Sequence, residues 1–277
     1  MTAEFHYRIP WRSHSSIPGH HLSTQTGGGF EFHGHAPLMS DPRPRNVDVH
    51  ASLLDPFGQY VVRTFRQRSA IPVQIVADLS ASMDFHRKME ILTAFACAAA
   101  YSAYRSGDSF GFIGCDEDVR WDLYLPQRWY KGGIGEFAET LRAFRPKRRC
   151  AAALPNAAEH LRRHRSLLFL VSDFHFPLAD VEALMDALDR HDVVPVVLWD
   201  RREYENLPER GFVRLADPES GAERTLFMRP ELRQAFAENF ARRRAELVHL
   251  CMRYGRQPFF MENGFESDPL TRYFHEQ

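Results

Sequence analysis

The chain lacks the features that mark a secreted, membrane-spanning or nucleic-acid-binding protein. Its four cysteines, Cys97, Cys115, Cys150 and Cys251, are widely separated and form no C-x-x-C pair, which predicts free thiols in a reducing compartment. The longest apolar runs have the length of a strand and are too short to cross a bilayer. The opening residues are polar and lack the apolar core of a secretory signal, so we expect a cytoplasmic protein. The formal net charge of -1 gives no electrostatic reason to bind nucleic acid or an anionic membrane.

Lysine is scarce as well, since only Lys88, Lys131 and Lys147 occur among 35 basic residues and the rest are arginines. Otherwise the composition is that of an ordinary globular protein, with 44% hydrophobic and 26% charged residues. At 277 residues, the chain is long enough to bury one substantial core and holds at most two domains.

Residues 1–69 differ from the rest in composition. They contain the Gly27–Gly29 run, many prolines and seven of the fourteen histidines. Turn-forming residues at this density break helices and leave short extended pieces, such as the apolar pair Phe30 and Phe32. A helix is expected to begin at about Asp55. We interpret the region as an arm that packs on the main domain.

The middle of the chain alternates apolar segments of strand length with amphipathic segments of helix length. Short, largely apolar runs occur at Val73–Asp78, Leu167–Ser172 and Val193–Trp199, as is typical of parallel strands covered on both faces. Strands that alternate with helices imply right-handed crossovers and a parallel sheet. We therefore predict a three-layer, Rossmann-like α/β fold with a mainly parallel central sheet over residues 70–206.

Residues 207–277 form a C-terminal extension with a different pattern. A hairpin is predicted from Phe212 to Phe227, turning through Pro218–Gly221. A long amphipathic helix follows, with Pro230 near its start.

Polar side chains follow two of the predicted strands at the point where each strand ends. Asp78 ends one strand and is followed by Ser80 and Ser82, while Asp173 ends a later strand. The carboxyl ends of parallel strands meet at one edge of a sheet, so these side chains are expected to converge. Such a group offers only hard oxygen ligands, which suit Mg²⁺, Mn²⁺ or Ca²⁺. The structural alternative is a strand-end aspartate beside a helix-capping serine.

The segment Asp78-Leu-Ser80-Ala-Ser82 resembles the Asp-x-Ser-x-Ser motif of von Willebrand factor A domains, and Asp173 resembles their third-loop aspartate. The resemblance implies a von Willebrand A fold with a metal-ion-dependent adhesion site. In that family the two serines and a second-loop threonine bind the metal directly or through water. The sixth position is left for a carboxylate of a partner protein.

The resemblance extends to the DUF58 family over nearly the whole chain. Gly27–Phe32, Arg45–Asp48 and the terminal Ser267–Leu270 are similar to segments of that family. This family resemblance implies a partner of the MoxR type, an AAA+ ATPase, and a role in the assembly of a client protein. The segments HYRIPWRS, GGGFEFHGHAPL and DVHASLLDPFGQ resemble methanol-oxidation accessory proteins of the MxaS type. That narrower resemblance implies a role in the maturation of methanol dehydrogenase.

The chain departs from the adhesion-site pattern at the second loop. Cys150–Ala153 stand where the threonine is expected, and none of them has a hydroxyl. Lys147, Arg148 and Arg149 precede them and are expected near the metal position, where a cation opposes Mg²⁺. Two interpretations stay open: a weakened metal site, or a metal-free scaffold that docks acidic partners through the Lys147–Arg149 loop.

Catalysis is not expected from these residues. Ser80 occupies the place where a haloacid-dehalogenase-type enzyme needs a second aspartate, and no Gly-x-Ser-x-Gly motif occurs. A metal-dependent hydrolase that uses Asp78 is the least favoured alternative.

Overall fold

The structure is a computed structural model that describes residues 3–27, 29, 31–131, 134–148, 150–204, 208–216 and 223–276. The strands in chain order are β1 (Pro18–Gly27), β2 (Glu31–Pro37), β3 (Val61–Ser69), β4 (Pro72–Asp78), β5 (Ser109–Cys115), β6 (Val119–Arg128), β7 (Leu167–Ser172), β8 (Asp192–Leu198), β9 (Gly211–Ala216), β10 (Glu223–Met228) and β11 (Phe259–Met261). The α-helices are α1 (Val49–Leu53), α2 (Lys88–Arg105), α3 (Gly135–Ala143), α4 (Ala157–His160), α5 (Leu178–Ala187), α6 (Pro230–Arg253) and α7 (Ser267–His275).

The chain divides into two compact units. The smaller unit is Arg8–Ile71, and the larger one comprises the chain up to Tyr7 together with everything from Pro72 onward. Within the described ranges, no helix is long and apolar enough to pass through a lipid bilayer.

The smaller unit is built on a three-stranded antiparallel sheet in the order β1-β3-β2. The prediction of a helix from about Asp55 is wrong, because residues 55–60 are not helical and the central strand β3 begins at Val61. Val61, Val62 and Thr64 are β-branched side chains that fit a pleated sheet better than a helix. The short helix α1 precedes β3 and is capped by Asp48, whose carboxylate accepts a hydrogen bond from the backbone N–H of Ala51 at 3.1 Å.

The larger unit contains a six-stranded sheet in the order β11-β8-β7-β4-β5-β6. All neighbouring strands are parallel except β5 and β6, which form an antiparallel pair. Every residue of β7 and of β8 is buried, which explains the apolar runs Leu167–Val171 and Val193–Leu198 in the sequence. The predicted α/β fold with a mainly parallel central sheet flanked by helices is thereby confirmed, and its layout is compatible with a Rossmann-like arrangement.

Helix α2 packs one apolar face into the core of the larger unit. Leu92, Phe95 and Ala99 are fully buried on it, at the spacing of successive helical turns. The ring of Phe95 meets the ring of Phe169 on β7 edge-on, with centroids 5.2 Å apart. Phe5, from the start of the chain, is buried against both rings.

The C-terminal part contains the expected hairpin and long helix. Strands β9 and β10 pair antiparallel from Gly211 to Met228, while the predicted turn at Pro218–Gly221 lies outside the described residues. Helix α6 begins with Pro230, whose fixed φ and missing N–H suit the first helical position. The short strand β11 then joins the edge of the central sheet parallel to β8, which the sequence did not indicate.

Candidate functional site

The candidate site lies where the connections of the central sheet change direction. Strand β4 is flanked by β5 on one side and by β7 on the other, and both are parallel to it. From β4 the chain passes first to β5 and later crosses to β7, so the space beyond the carboxyl ends of β4 and β7 is a topological switch point. Asp78 ends β4, and Asp173 follows the last residue of β7.

Asp78 is tied to both strand ends by hydrogen bonds. It is 1% exposed, and its Oδ1 accepts a hydrogen bond from the backbone N–H of Ser80 at 2.8 Å. Its Oδ2 accepts a hydrogen bond from the hydroxyl of Ser172, the last residue of β7, at 2.7 Å. The structure therefore places Asp173, the neighbour of Ser172, at the same edge of the sheet as Asp78.

The two serines lie between the two aspartates. The Oγ atoms of Ser80 and Ser82 are 3.2 Å apart, and both side chains are buried. The hydroxyl of Ser80 also interacts with Asp78, and that of Ser82 with Asp173. We call Asp78, Ser80, Ser82 and Asp173 the Asp/Ser cluster. Across the described residues, no three Asp, Glu, His or Cys side chains gather as metal ligands, so a cation here would depend on the serine hydroxyls.

Lys88 contacts this cluster and was not among the residues singled out from the sequence. Its side chain is 1% exposed, and its Nζ donates a hydrogen bond to Oδ2 of Asp173 at 2.9 Å. The same atom lies 2.6 Å from Oε1 of Glu203 and 3.4 Å from the carbonyl oxygen of Ser82. A signal was present in the sequence, because Lys88 precedes Leu92 by four residues and so lies on the buried face of α2.

Glu203 connects the cluster to the segment that follows β8. It belongs to a 3-10 helix, Arg201–Glu203, in which Asp200 and Glu203 form a capping box. The second carboxylate oxygen of Glu203 is 3.8 Å from Nε2 of His175, and His86 lies 2.6 Å from Asp200 through its Nδ1. Residues after β4, β7 and β8 thus form one hydrogen-bonded network.

The pKa values of the two aspartates are shifted in opposite directions. Burial, followed by the neighbouring charge of Asp173, raises the pKa of Asp78 to about 6. Burial also acts to raise the pKa of Asp173, but Lys88 and His175 outweigh it and hold that pKa below its ordinary value. Burial lowers the pKa of Lys88, yet Asp173 and Glu203 together raise it above its ordinary value. Lys88 and Asp173 therefore form a charged pair, whereas Asp78 has no cationic partner among the residues that the structure describes.

Two residues near the cluster have a left-handed backbone that side chains other than glycine rarely adopt. They are His86, with φ 52°, and Phe174, with φ 53°. Such conformations cost energy and concentrate at binding sites. Arg243 of α6 holds the second of them, because its guanidinium donates to the carbonyl oxygens of Phe174, at 2.7 Å, and of Phe176.

The Lys147–Arg149 loop contacts the segment of the Asp/Ser cluster through the backbone of Arg148. The N–H of Ala81 donates to the carbonyl oxygen of Arg148 at 2.8 Å, while the guanidinium of Arg148 lies 2.9 Å from Glu117. Lys147 is exposed, and Arg149 lies outside the described residues. The ammonium of Lys88 is thus paired with Asp173, whereas the guanidinium of Arg148 is paired with Glu117.

One family model matches most of the chain. The family described as Protein of unknown function DUF58 matches residues 57–246, well over half of the chain. Uncharacterized protein Rv1480 of Mycobacterium tuberculosis and uncharacterized protein Mb1516 of Mycobacterium bovis are each 29% identical over 183 residues, which is 63% of this chain and 56% of theirs. The matched part thus spans little more than half the length of these curated relatives.

A relative from Paracoccus denitrificans is described as an uncharacterized protein in the moxR 3' region. It is 32% identical over 101 residues, which cover 36% of this chain and 96% of the relative. Among solved structures, the conserved hypothetical protein BatB of Bacteroides thetaiotaomicron has 11% identity and a TM-score of 0.42, over 74% of this chain and 97% of that one. A likeness at that level carries no argument about function.

Proposed function

The chain belongs to the DUF58 family, and on that premise we propose that it is a non-catalytic assembly factor that works with a MoxR-type AAA+ ATPase. The family match and the relative encoded in a moxR 3' region support the ATPase as partner. The observation that carries the proposal is the convergence of Asp78, Ser80, Ser82 and Asp173 at the switch point of the sheet. We propose that this edge is a von Willebrand A-type adhesion site that binds a carboxylate of the partner.

We propose that this donor set holds a divalent cation. Adjacent ligands of an octahedral Mg²⁺ with bonds of 2.0–2.1 Å lie roughly 3 Å apart, close to the 3.2 Å between the Oγ atoms of Ser80 and Ser82. These hydroxyls would hold Mg²⁺, or Mn²⁺ or Ca²⁺, and Asp78 and Asp173 would supply negative charge. Because neutral hydroxyls do not neutralise the cation, it would attract a glutamate or aspartate from a partner.

The proposal of a non-catalytic role is supported by the surroundings of the polar groups. The hydroxyl of Ser80 faces Asp78 and Ser82, and no histidine is hydrogen-bonded to it among the contacts of the described residues. The ring of His175 stacks on Trp199 and faces Glu203, and among the described residues it forms no hydrogen bond with Ser80 or Ser82. For the client we propose methanol dehydrogenase, on the resemblance of the N-terminal segments to methanol-oxidation accessory proteins.

Lys88 favours a second candidate function. Because its ammonium already neutralises Asp173, the edge of the sheet can be stable without metal, and the exposed Lys147 offers a positive charge to an acidic partner. In this candidate the chain is a metal-free scaffold that docks through the Lys147–Arg149 loop. Calorimetric titration with Mg²⁺ separates the two candidates, because only an adhesion site gives heat and thermal stabilisation.

The first proposal is tested by Asp78→Asn in the full chain. Asparagine has the shape of aspartate, and its Oδ1 can still accept the hydrogen bond from the backbone N–H of Ser80, so the variant is expected to keep its circular dichroism spectrum and melting temperature. We expect it to lose the Mg²⁺-dependent capture of the MoxR-type ATPase from the same genome. The matched control is Asp122→Asn, at a side chain 57% exposed on β6, which should bind like the wild type. Full capture by folded Asp78→Asn would refute the mechanism.

A further inference from the structure

We infer that Lys88 is a built-in counter-cation of the Asp/Ser cluster, whose ammonium opposes a divalent cation and sets how weakly that cation binds. The inference rests on the proposed function, because it concerns the same site. Lys88 belongs to α2 and is not one of the four residues proposed to hold the metal. Lys88 is a positioning residue, because it acts on the cation through the carboxylate of Asp173.

The surroundings of Lys88 are those of a cation-binding cage that the protein fills with its own side chain. Its Nζ faces one oxygen from each of three segments: the carbonyl of Ser82 after β4, the carboxylate of Asp173 after β7, and the carboxylate of Glu203 after β8. An ammonium has three N–H donors, so each of these oxygens can take one of them. Because the side chain is 1% exposed, water contributes little to its charge balance.

The acceptors of Lys88 are themselves fixed. Glu203 is held by the capping box at Asp200, and Asp200 in turn contacts His86, two residues before Lys88. The indole N–H of Trp199 donates to the backbone carbonyl of Asp173 at 2.9 Å. The ammonium is therefore positioned at Asp173 by a rigid frame, and a cation that draws on that carboxylate must share it with Lys88.

The charge of Lys88 acts on the cluster by Coulomb's law. A unit positive charge held within hydrogen-bond distance of a metal-site carboxylate reduces the affinity for a divalent cation by roughly tenfold or more at the effective dielectric constant of a protein interior. Arg148 does not supply this charge, because its guanidinium contacts Glu117 and is 55% exposed. Removing the ammonium should therefore tighten cation binding, although it also leaves the buried Asp173 and the partly buried Glu203 without their partner.

The experiment compares Lys88→Met with Arg256→Met in the full chain. Arg256 and Asp192 form another buried ion pair of the larger unit, with side chains 6% and 5% exposed and an N–O distance of 2.7 Å. Both variants are expected to melt at a lower temperature without metal, because each leaves buried carboxylate charge unpaired. Millimolar Mg²⁺ should restore the melting temperature of Lys88→Met alone, and calorimetry should give at least about a tenfold tighter Kd than in the wild type.

The outcomes distinguish this inference from the proposed function. If the wild type binds Mg²⁺ and Lys88→Met binds it no more tightly, Lys88 is a structural ion pair and the inference is overturned while the adhesion site stands. If neither protein responds to Mg²⁺, the metal-dependent function itself fails, and the inference with it. Should Lys88→Met not fold, the double variant with Glu203→Gln removes one unpaired carboxylate and is measured in its place.

Discussion

Phe5 links the start of the chain to the core of the larger unit, and we predict that Phe5→Ala strongly destabilises that unit. The ring is 1% exposed and lies 6.1 Å from the ring of Phe95, 6.0 Å from that of Phe169 and 6.3 Å from that of Phe265, measured between centroids. The backbone N–H of Phe5 donates to the hydroxyl of Ser102 at 3.0 Å, a bond that alanine retains. The substitution therefore removes packing and leaves the local backbone contact in place.

The magnitude follows from the burial of the ring. Replacing a fully buried phenylalanine by alanine costs about 3–5 kcal/mol, because the lost transfer free energy adds to the cost of the cavity. Because Phe5 also makes edge-to-face and stacked contacts with the neighbouring rings, we expect at least the middle of that range, about 4 kcal/mol. In a unit of this size, 1 kcal/mol corresponds to about 2–4 °C, which gives a fall in melting temperature of about 8–16 °C.

The assay is urea unfolding followed by tryptophan emission, to which the buried Trp199 of the larger unit contributes. Phe212→Ala is the matched control, since that ring is 78% exposed on β9 and its removal should change the free energy of unfolding by less than about 0.5 kcal/mol. A loss below about 1 kcal/mol for Phe5→Ala would show that the ring does not belong to the cooperative core.

Three further predictions concern thiols, pH and a turn. Burial above all raises the pKa of Cys115 and of Cys251 to about 12, so neither thiol should react with a maleimide at about pH 8 until denaturant is added. Burial above all lowers the pKa of His191 from 6.5, so the free energy of unfolding should fall as the pH drops from about 6.5 toward the folded-state pKa, and His191→Gln should flatten that slope. Gly107 has φ +71° and open space where a methyl group would lie, so Gly107→Ala should cost about 1 kcal/mol in thermal denaturation through backbone strain, whereas Gly135→Ala, at the start of α3 with no such φ, should not.

The sequence predicted the central sheet well because its strands are covered on both faces. Val73–Asp78 and Leu167–Ser172 were expected as strands and agree with β4 and β7 to within one residue. The common location of Asp78 and Asp173 followed from the rule that parallel strands end at the same edge. For these strands the local apolar pattern and the geometry of the fold predict the same structure, so a single sequence was enough to locate them.

Local pattern was insufficient where the deciding partner lies far along the chain. β3 was expected to be helical from about Asp55, since a short apolar segment fits either period, and its strand character depends on pairing with β1 and β2. Lys88 was treated only as a rare basic residue, because the acceptor that makes its burial possible, Glu203, belongs to the segment after β8. The hydrogen bond from Arg243 to the loop after β7 could not be predicted for the same reason, because it joins elements that are distant in sequence.

If the chain has the proposed function, the missing second-loop hydroxyl and the ammonium of Lys88 both weaken the binding of a cation. The Asp/Ser cluster offers two hydroxyls, and Lys88 already occupies Oδ2 of Asp173, so a cation alone would be held weakly. A partner carboxylate would supply both a ligand and the negative charge that Lys88 offsets. Cation and partner would then strengthen each other's binding by the same factor, because coupling free energies are reciprocal. A Kd for Mg²⁺ that is unchanged by saturating ATPase partner would contradict this coupling, even if both bind.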